Sequence, residues 1–154
     1  MNASFTIRPA EAADFPGITR LLTEAALPLD GLDSHKNFLV LCQEGNQDRN
    51  QDRKMIGCAA LERYGRSVLL RSVAVEPSAR GQGLGRRLVE QALQHARRDG
   101  VAEIILLTTT AARFFERLGF RPIRREDAPE PMRASAEFRG ACPDTAAVLR
   151  LVLK

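Results

Sequence analysis

Tryptophan is absent from this chain and tyrosine occurs once, so the stacking platforms that hold single-stranded nucleic acid are poorly supplied. Histidine is nearly as scarce: His35 and His95 stand far apart, and a structural zinc site has nothing to build on. No metal is expected. Cys42, Cys58 and Cys142 are odd in number and lack C-x-x-C spacing, which argues against a disulfide framework and suits free thiols in small apolar, buried roles. No run approaches the roughly 20 apolar residues of a membrane span, and Met1 to Pro9 lack a basic segment followed by an apolar one. The expectation is a soluble cytoplasmic protein with no membrane partner.

What is present suits one globular domain over residues 1–154, since 44% of the residues are hydrophobic and can form a core. The net charge of +4 and a pI near 9.4 fit an anionic ligand and fall short of the concentrated patch that nucleic acid requires.

Along the chain, Phe5–Arg8 reads as a first strand, and Asp14 as the N-cap of a helix whose apolar residues Phe15, Ile18, Leu21, Leu22 and Ala25 keep the helical period. A helical turn is expected at Asp33–Asn37. Phe38–Cys42 and Met55–Leu61 read as a hairpin joined by the polar stretch Glu44–Lys54, in which Asn46-Gln-Asp-Arg49 is repeated at once as Asn50-Gln-Asp-Arg53. Ser67–Val75 is a central strand. Leu84 to Arg98 is a helix stopped by Gly100, Glu103–Thr108 a strand, and Ala111–Leu118 a short helix stopped by Gly119. That order makes a crossover unit with its two strands parallel. Phe120–Ile123 and Ala146–Leu153 read as strands, and Glu130–Phe138 as a short helix.

The stretch Ser72–Leu88 carries the strongest signal. Pro77 ends the strand, and Gly81, Gly83 and Gly85 leave backbone amides without side-chain cover at the start of a helix, where unpaired N–H groups and the helix dipole favour phosphate. Arg80, Arg86 and Arg87 add positive charge. A lone Gly-x-Gly turn would be read as a tight turn only. Here Arg80-Gly-Gln-Gly-Leu-Gly85 follows a strand ending Val-Ala-Val and precedes, after a helix and a strand, Phe114-Phe-Glu-Arg-Leu-Gly-Phe120. That order resembles the GNAT family of N-acetyltransferases. The resemblance implies an α/β (α+β) fold, with a mixed central sheet flanked by helices on both faces. It also implies acetyl-CoA with its pyrophosphate on Gly81, Gln82, Gly83, Leu84, Gly85 and Arg86 beside Arg80, and its pantetheine arm along the backbone of Val73 and Val75. Four further stretches, Gly57–Gly65, Leu69–Val75, Leu106–Ala111 and Glu137–Pro143, look like the GNAT branch associated with bacterial arsenic resistance. That branch implies a small amino-bearing acceptor such as an amino acid or an organoarsenical analogue of one.

The residues supply the transfer chemistry unevenly. Phe115 stands where many GNAT enzymes have the tyrosine that protonates the leaving thiolate, and Leu69 where some histone-type members have a glutamate base. Glu62, at the end of an apolar strand, is then the candidate base, with a solvent-exposed carboxylate as its alternative. Thr108 is a candidate proton donor, or else a cap for the next helix. Arg71, a guanidinium inside Val68–Val75, needs an anionic partner, which is a substrate carboxylate, Glu62, or both. The reading is direct acetyl transfer to a small amine in a ternary complex. The missing tyrosine keeps a catalytically weak acyl-CoA sensor as the alternative. The acceptor's identity, and whether a homodimer completes the site, stay open.

Overall fold

The structure, a computed structural model, describes residues 4–44, 54–143 and 145–153. Seven strands form one mixed sheet: β1 (Phe5–Pro9), β2 (Phe38–Gln43), β3 (Lys54–Tyr64), β4 (Ser67–Val75), β5 (Glu103–Thr108), β6 (Arg121–Ile123) and β7 (Ala147–Val152). Their order is β1-β2-β3-β4-β5-β7-β6. The helices are α1 (Phe15–Glu24), α2 (Leu84–Arg98), α3 (Ala112–Arg117) and α4 (Glu130–Arg133). The chain divides into two compact units, Met1–Ala60 with Ser72–Gln94, and Leu61–Arg71 with His95–Lys154.

In the first unit β1 pairs antiparallel with β2, and β2 with β3, as the hairpin pattern predicts. Leu41 faces Gly57 while Cys42 faces Met55, so one residue of β3 bulges out of the ladder. Side chains from β2, β3 and α1 make the core: Ile18, Leu21 and Leu22 of the helix pack with Phe38, Val40, Cys42, Cys58, Ala60 and Ala74. Asp14 does precede α1, yet its carboxylate makes no cap bond to that helix. It accepts instead from the Glu11 amide and pairs with Arg8. The expected turn at Asp33–Asn37 is not helical; Asn37 has φ 73°, which a continuing right-handed turn excludes. The Asn46–Arg53 duplication lies outside the described residues.

In the second unit β4 runs parallel to β5, Ser67–Leu69 against Glu103–Ile105, as the crossover reading predicts. The antiparallel strand β7 lies between β5 and β6. Leu69, Ile105 and Val148 from the sheet pack with Ala128 and Met132, and Tyr64, Leu107, Ile123 and Phe138 close around them. The expected helix Glu130–Phe138 is broken. After α4 the chain makes a wide helical turn, Glu137–Ala141, with Gly140 at φ 127°, and the interruption brings Glu137 into a buried position.

Candidate functional site

Two groups of residues, each with members on β4, carry chemically active side chains or backbone. The first is the glycine turn. A short 3-10 turn, Pro77–Ala79, follows β4, and Gly81 and Gly83 have φ 84° and 74°, the left-handed region that glycine enters without a Cβ clash. A Cβ at either position would meet no atom within 4 Å, so the space in front of the turn is open. Gly81, Gln82 and Gly83 are exposed, Leu84 is buried and anchors α2, Gly85 is half-buried, and Arg86 and Arg87 are exposed. The Arg87 amide donates to the Gly83 carbonyl at 3.1 Å at the start of α2, where the first amides of a helix have no partner in the preceding turn. Arg80 folds back, its Nε donating to the Val75 carbonyl at 3.1 Å, and Arg86 pairs with Glu90 at 2.7 Å. Val73 and Val75 are half-buried, while Ala74 between them is buried. Ser72 just before them has φ 58°, rare for a residue with a Cβ and rarer inside a strand, which marks a break in the ladder. An exposed, cationic, Cβ-free turn at the start of a 15-residue helix fits a phosphate-bearing ligand.

The second group lies within the other unit. Arg71 has a fully buried side chain between two carboxylates: its Nη1 is 3.2 Å from Glu62 Oε2 and its Nε 3.4 Å from Glu137 Oε1. Tyr64 donates from its hydroxyl to Glu62 Oε1 at 3.1 Å. The Cys142 thiol donates to Glu137 Oε2. Burial pushes the Glu137 carboxyl above the usual range against the lowering effect of Cys142 and Arg71. Burial, reinforced by Glu137, pushes the Cys142 thiol up to about 12. The Tyr64 hydroxyl is also raised, by burial first and then by the Glu62 charge. Of the three charged side chains, Arg71, Glu137 and Glu62 are 0%, 6% and 19% exposed, so Glu62 is the one a ligand can meet. A carboxylate held on one oxygen by a guanidinium and on the other by a phenol is fixed in orientation.

Sequence reasoning thus named Glu62 and Arg71, which the structure brings together. It missed Glu137, Tyr64 and the part played by Cys142; the only signal for them was the likeness of the stretches containing them. Thr108, at the end of β5, accepts from the Ala111 amide at 2.9 Å, closing the turn before α3. Phe115 is buried and packs edge-on against Phe114 and Phe120, with ring centroids 5.0 and 5.6 Å away. Cys42 and Cys58 are buried as expected, the Cys58 thiol raised to about 12 by burial. Cys142 departs from the apolar role, because its thiol is committed to Glu137. His35 is half-buried. Among the described residues no cluster of metal-ligating side chains occurs, and no helix is long and apolar enough to cross a membrane.

The profile of the acetyltransferase (GNAT) domain matches residues 34–122, a span that contains β2 to β5, the whole glycine turn and the start of β6. The chain belongs to the GNAT acetyltransferase family. An N-acetyltransferase of Chlorobaculum tepidum is 34% identical to this GNAT chain over 97% of it and 98% of that protein. The amino-acid acetyltransferase of Neisseria meningitidis is 28% identical over 90% of the chain. The chain spans about a third of that relative's length, 32%. Among solved structures, the N-acetylglutamate synthase of Neisseria gonorrhoeae, complexed with coenzyme A and N-acetyl-glutamate, superposes with a TM-score of 0.80 at 26% identity, over 100% of this chain and 36% of that one. A Mycobacterium tuberculosis protein in complex with CoA gives 0.77 at 26% identity, over 97% and 99% of the two chains. These likenesses agree with the mixed-sheet GNAT fold that the sequence implied.

Proposed function

We propose that this GNAT domain transfers the acetyl group of acetyl-CoA to the amine of a small molecule, and that the acceptor is an amino acid. The observation that carries the reading is the content of β4, which holds Arg71 among carboxylates and then leads into the open glycine turn. The names of the relatives, amino-acid acetyltransferase and N-acetylglutamate synthase, support the acceptor class.

Acetyl-CoA, when bound, supplies a thioester carbonyl for an amine to attack. The amides from Gly81 to Arg86, with the exposed Arg86 and Arg87 nearby, hold its phosphates at the positive end of α2. Val73 and Val75 offer backbone groups to its amide-bearing arm. The acceptor arrives as an ammonium ion, and Glu62 takes the proton that the amine must lose before it is a nucleophile. Arg71 and Tyr64 hold that carboxylate in one orientation, so Arg71 serves the acceptor through the group it positions. Thr108 Oγ1 accepts from Ala111 and keeps its own O–H, which it can offer as a hydrogen bond to a departing thiolate that takes its proton from water. An organoarsenical amino-acid analogue is a second acceptor, favoured by the likeness of Glu137–Pro143 and its companion stretches to the arsenic-resistance branch.

The test begins with acetyl-CoA binding by thermal shift. Thiol release is then followed against amino acids, polyamines and organoarsenical analogues, with Glu62→Gln beside the wild type. The variant should lose about 100-fold in kcat while binding acetyl-CoA normally. Absence of a thermal shift would sink the cofactor assignment. A shift without turnover on any amine would leave the acyl-CoA sensor in its place.

A further inference from the structure

The described residues leave one buried side-chain nitrogen or oxygen without a hydrogen-bond partner, Arg125 Nη1. The rest of that guanidinium is fixed. Its Nη2 donates to the Pro143 carbonyl at 3.2 Å, and its Cζ stands 5.5 Å from the centre of the Phe138 ring. Among the described residues no carboxylate pairs with it, in contrast to Arg71, which has two. Pro143 directly follows Cys142, whose thiol donates to Glu137, so Arg125 borders the Glu62 cluster.

A charged donor withdrawn from water and left unpaired is costly, and a native structure that keeps one has a use for it. We propose that Arg125 Nη1 receives the carboxylate of the acceptor. This rests on the amino-acid acetyltransferase reading above: Glu62 meets the ammonium end of the acceptor, and Arg125 its acidic end. The planar guanidinium suits the task, because Pro143 and Phe138 already fix its plane and little freedom is left to lose when the anion arrives. Arg71 is the poorer receptor, its charge already divided between Glu62 and Glu137. Nη1 is closed to solvent, so the segment that packs on it, Phe138 to Pro143, has to give way before an anion enters. That segment contains Gly140 at φ 127°, a conformation that leaves the turn without a continuous helical ladder to break.

The experiment compares wild type with Arg125→Gln and Arg125→Lys on L-glutamate, L-glutamine and L-methionine, each beside its α-amide. For the amino acid that wild type acetylates best, Arg125→Gln should lower kcat/KM about 100-fold, and for the matching α-amide by less than about 3-fold, with Arg125→Lys in between. Affinity for acetyl-CoA should stay unchanged. Equal losses on acid and amide would assign Arg125 to packing and overturn the proposal, as would no loss on either. If wild type acetylates none of the six, calorimetric binding of the same compounds decides the proposal. Tighter binding of the acids than the amides by wild type, abolished in Arg125→Gln, upholds it; equal binding overturns it.

Discussion

Replacing Arg71 by methionine keeps most of the side chain's length and removes the cation on which two carboxylates converge. Glu137, only 6% exposed, and Glu62, 19% exposed, are then left without their shared partner. Breaking a buried ion pair by deleting one member costs about 3–5 kcal/mol, and since water still reaches Glu62 the middle of that range, about 4 kcal/mol, is the expected loss at pH 8. For a chain of this size that corresponds to a fall in Tm of about 8–16 °C. Adding Glu137→Gln removes the more deeply buried charge and should return about 2 kcal/mol. The loss also depends on pH with a defined sign. The Glu137 carboxyl is already raised by burial, and without Arg71 it rises further, so the folded state binds a proton that the unfolded chain releases. The penalty is therefore complete above the raised folded value and shrinks as pH falls through it towards the ordinary carboxylate range. Urea unfolding followed by circular dichroism at pH 8 and pH 5 measures all three quantities. A loss under about 1 kcal/mol, a further loss on adding Glu137→Gln, or equal penalties at the two pH values would refute the reasoning.

Asp14→Asn should cost about 1–2 kcal/mol at pH 7 by removing a carboxylate that accepts from Arg8 at 2.7 and 3.1 Å. The Asp14 carboxyl is held below its usual range, chiefly by the Arg8 hydrogen bond. Its contribution is therefore present above the ordinary aspartate value and disappears as pH drops through the lowered folded one, where mutant and wild type should unfold together in acid titration. Gly83→Val should reduce acetyl-CoA affinity by at least about 10-fold, because a branched side chain would stand in the open space before the turn. Its φ of 74° adds about 1–2 kcal/mol of strain, so titration calorimetry and unfolding should be read together.

The glycine turn was legible because everything that makes it is local: a strand, a proline, three glycines and the first turn of one helix. Arg71 was legible for a different reason, as a charge inside an apolar strand that had to find a partner. Glu137 and Arg125 gave no such sign. Arg125 sits in the run Arg124-Arg-Glu-Asp127, whose composition is that of a solvated surface, and Glu137 in a stretch read as ordinary helix. Both acquire their surroundings from the break between α4 and the turn Glu137–Ala141, and helical periodicity cannot announce its own interruption. Phe115 has no proton to donate, and its edge-on packing with Phe114 and Phe120 gives it a place in the core.

Ser72 changes the grammar of the strand that contains it. In an uninterrupted strand Leu69, Arg71, Val73 and Val75 would all obey one alternation of faces, and any single insertion would invert the lot. With a left-handed residue at position 72 the code restarts: every residue from Ser67 to Ser72 is buried, and the sequence half-buried, buried, half-buried begins only at Val73. The two halves of β4 are thereby uncoupled as information. On the function proposed above, substitutions up to Arg71 retune the acceptor side of the strand without disturbing the frame of Val73 and Val75, so acceptor preference can drift while the donor half stays as it is.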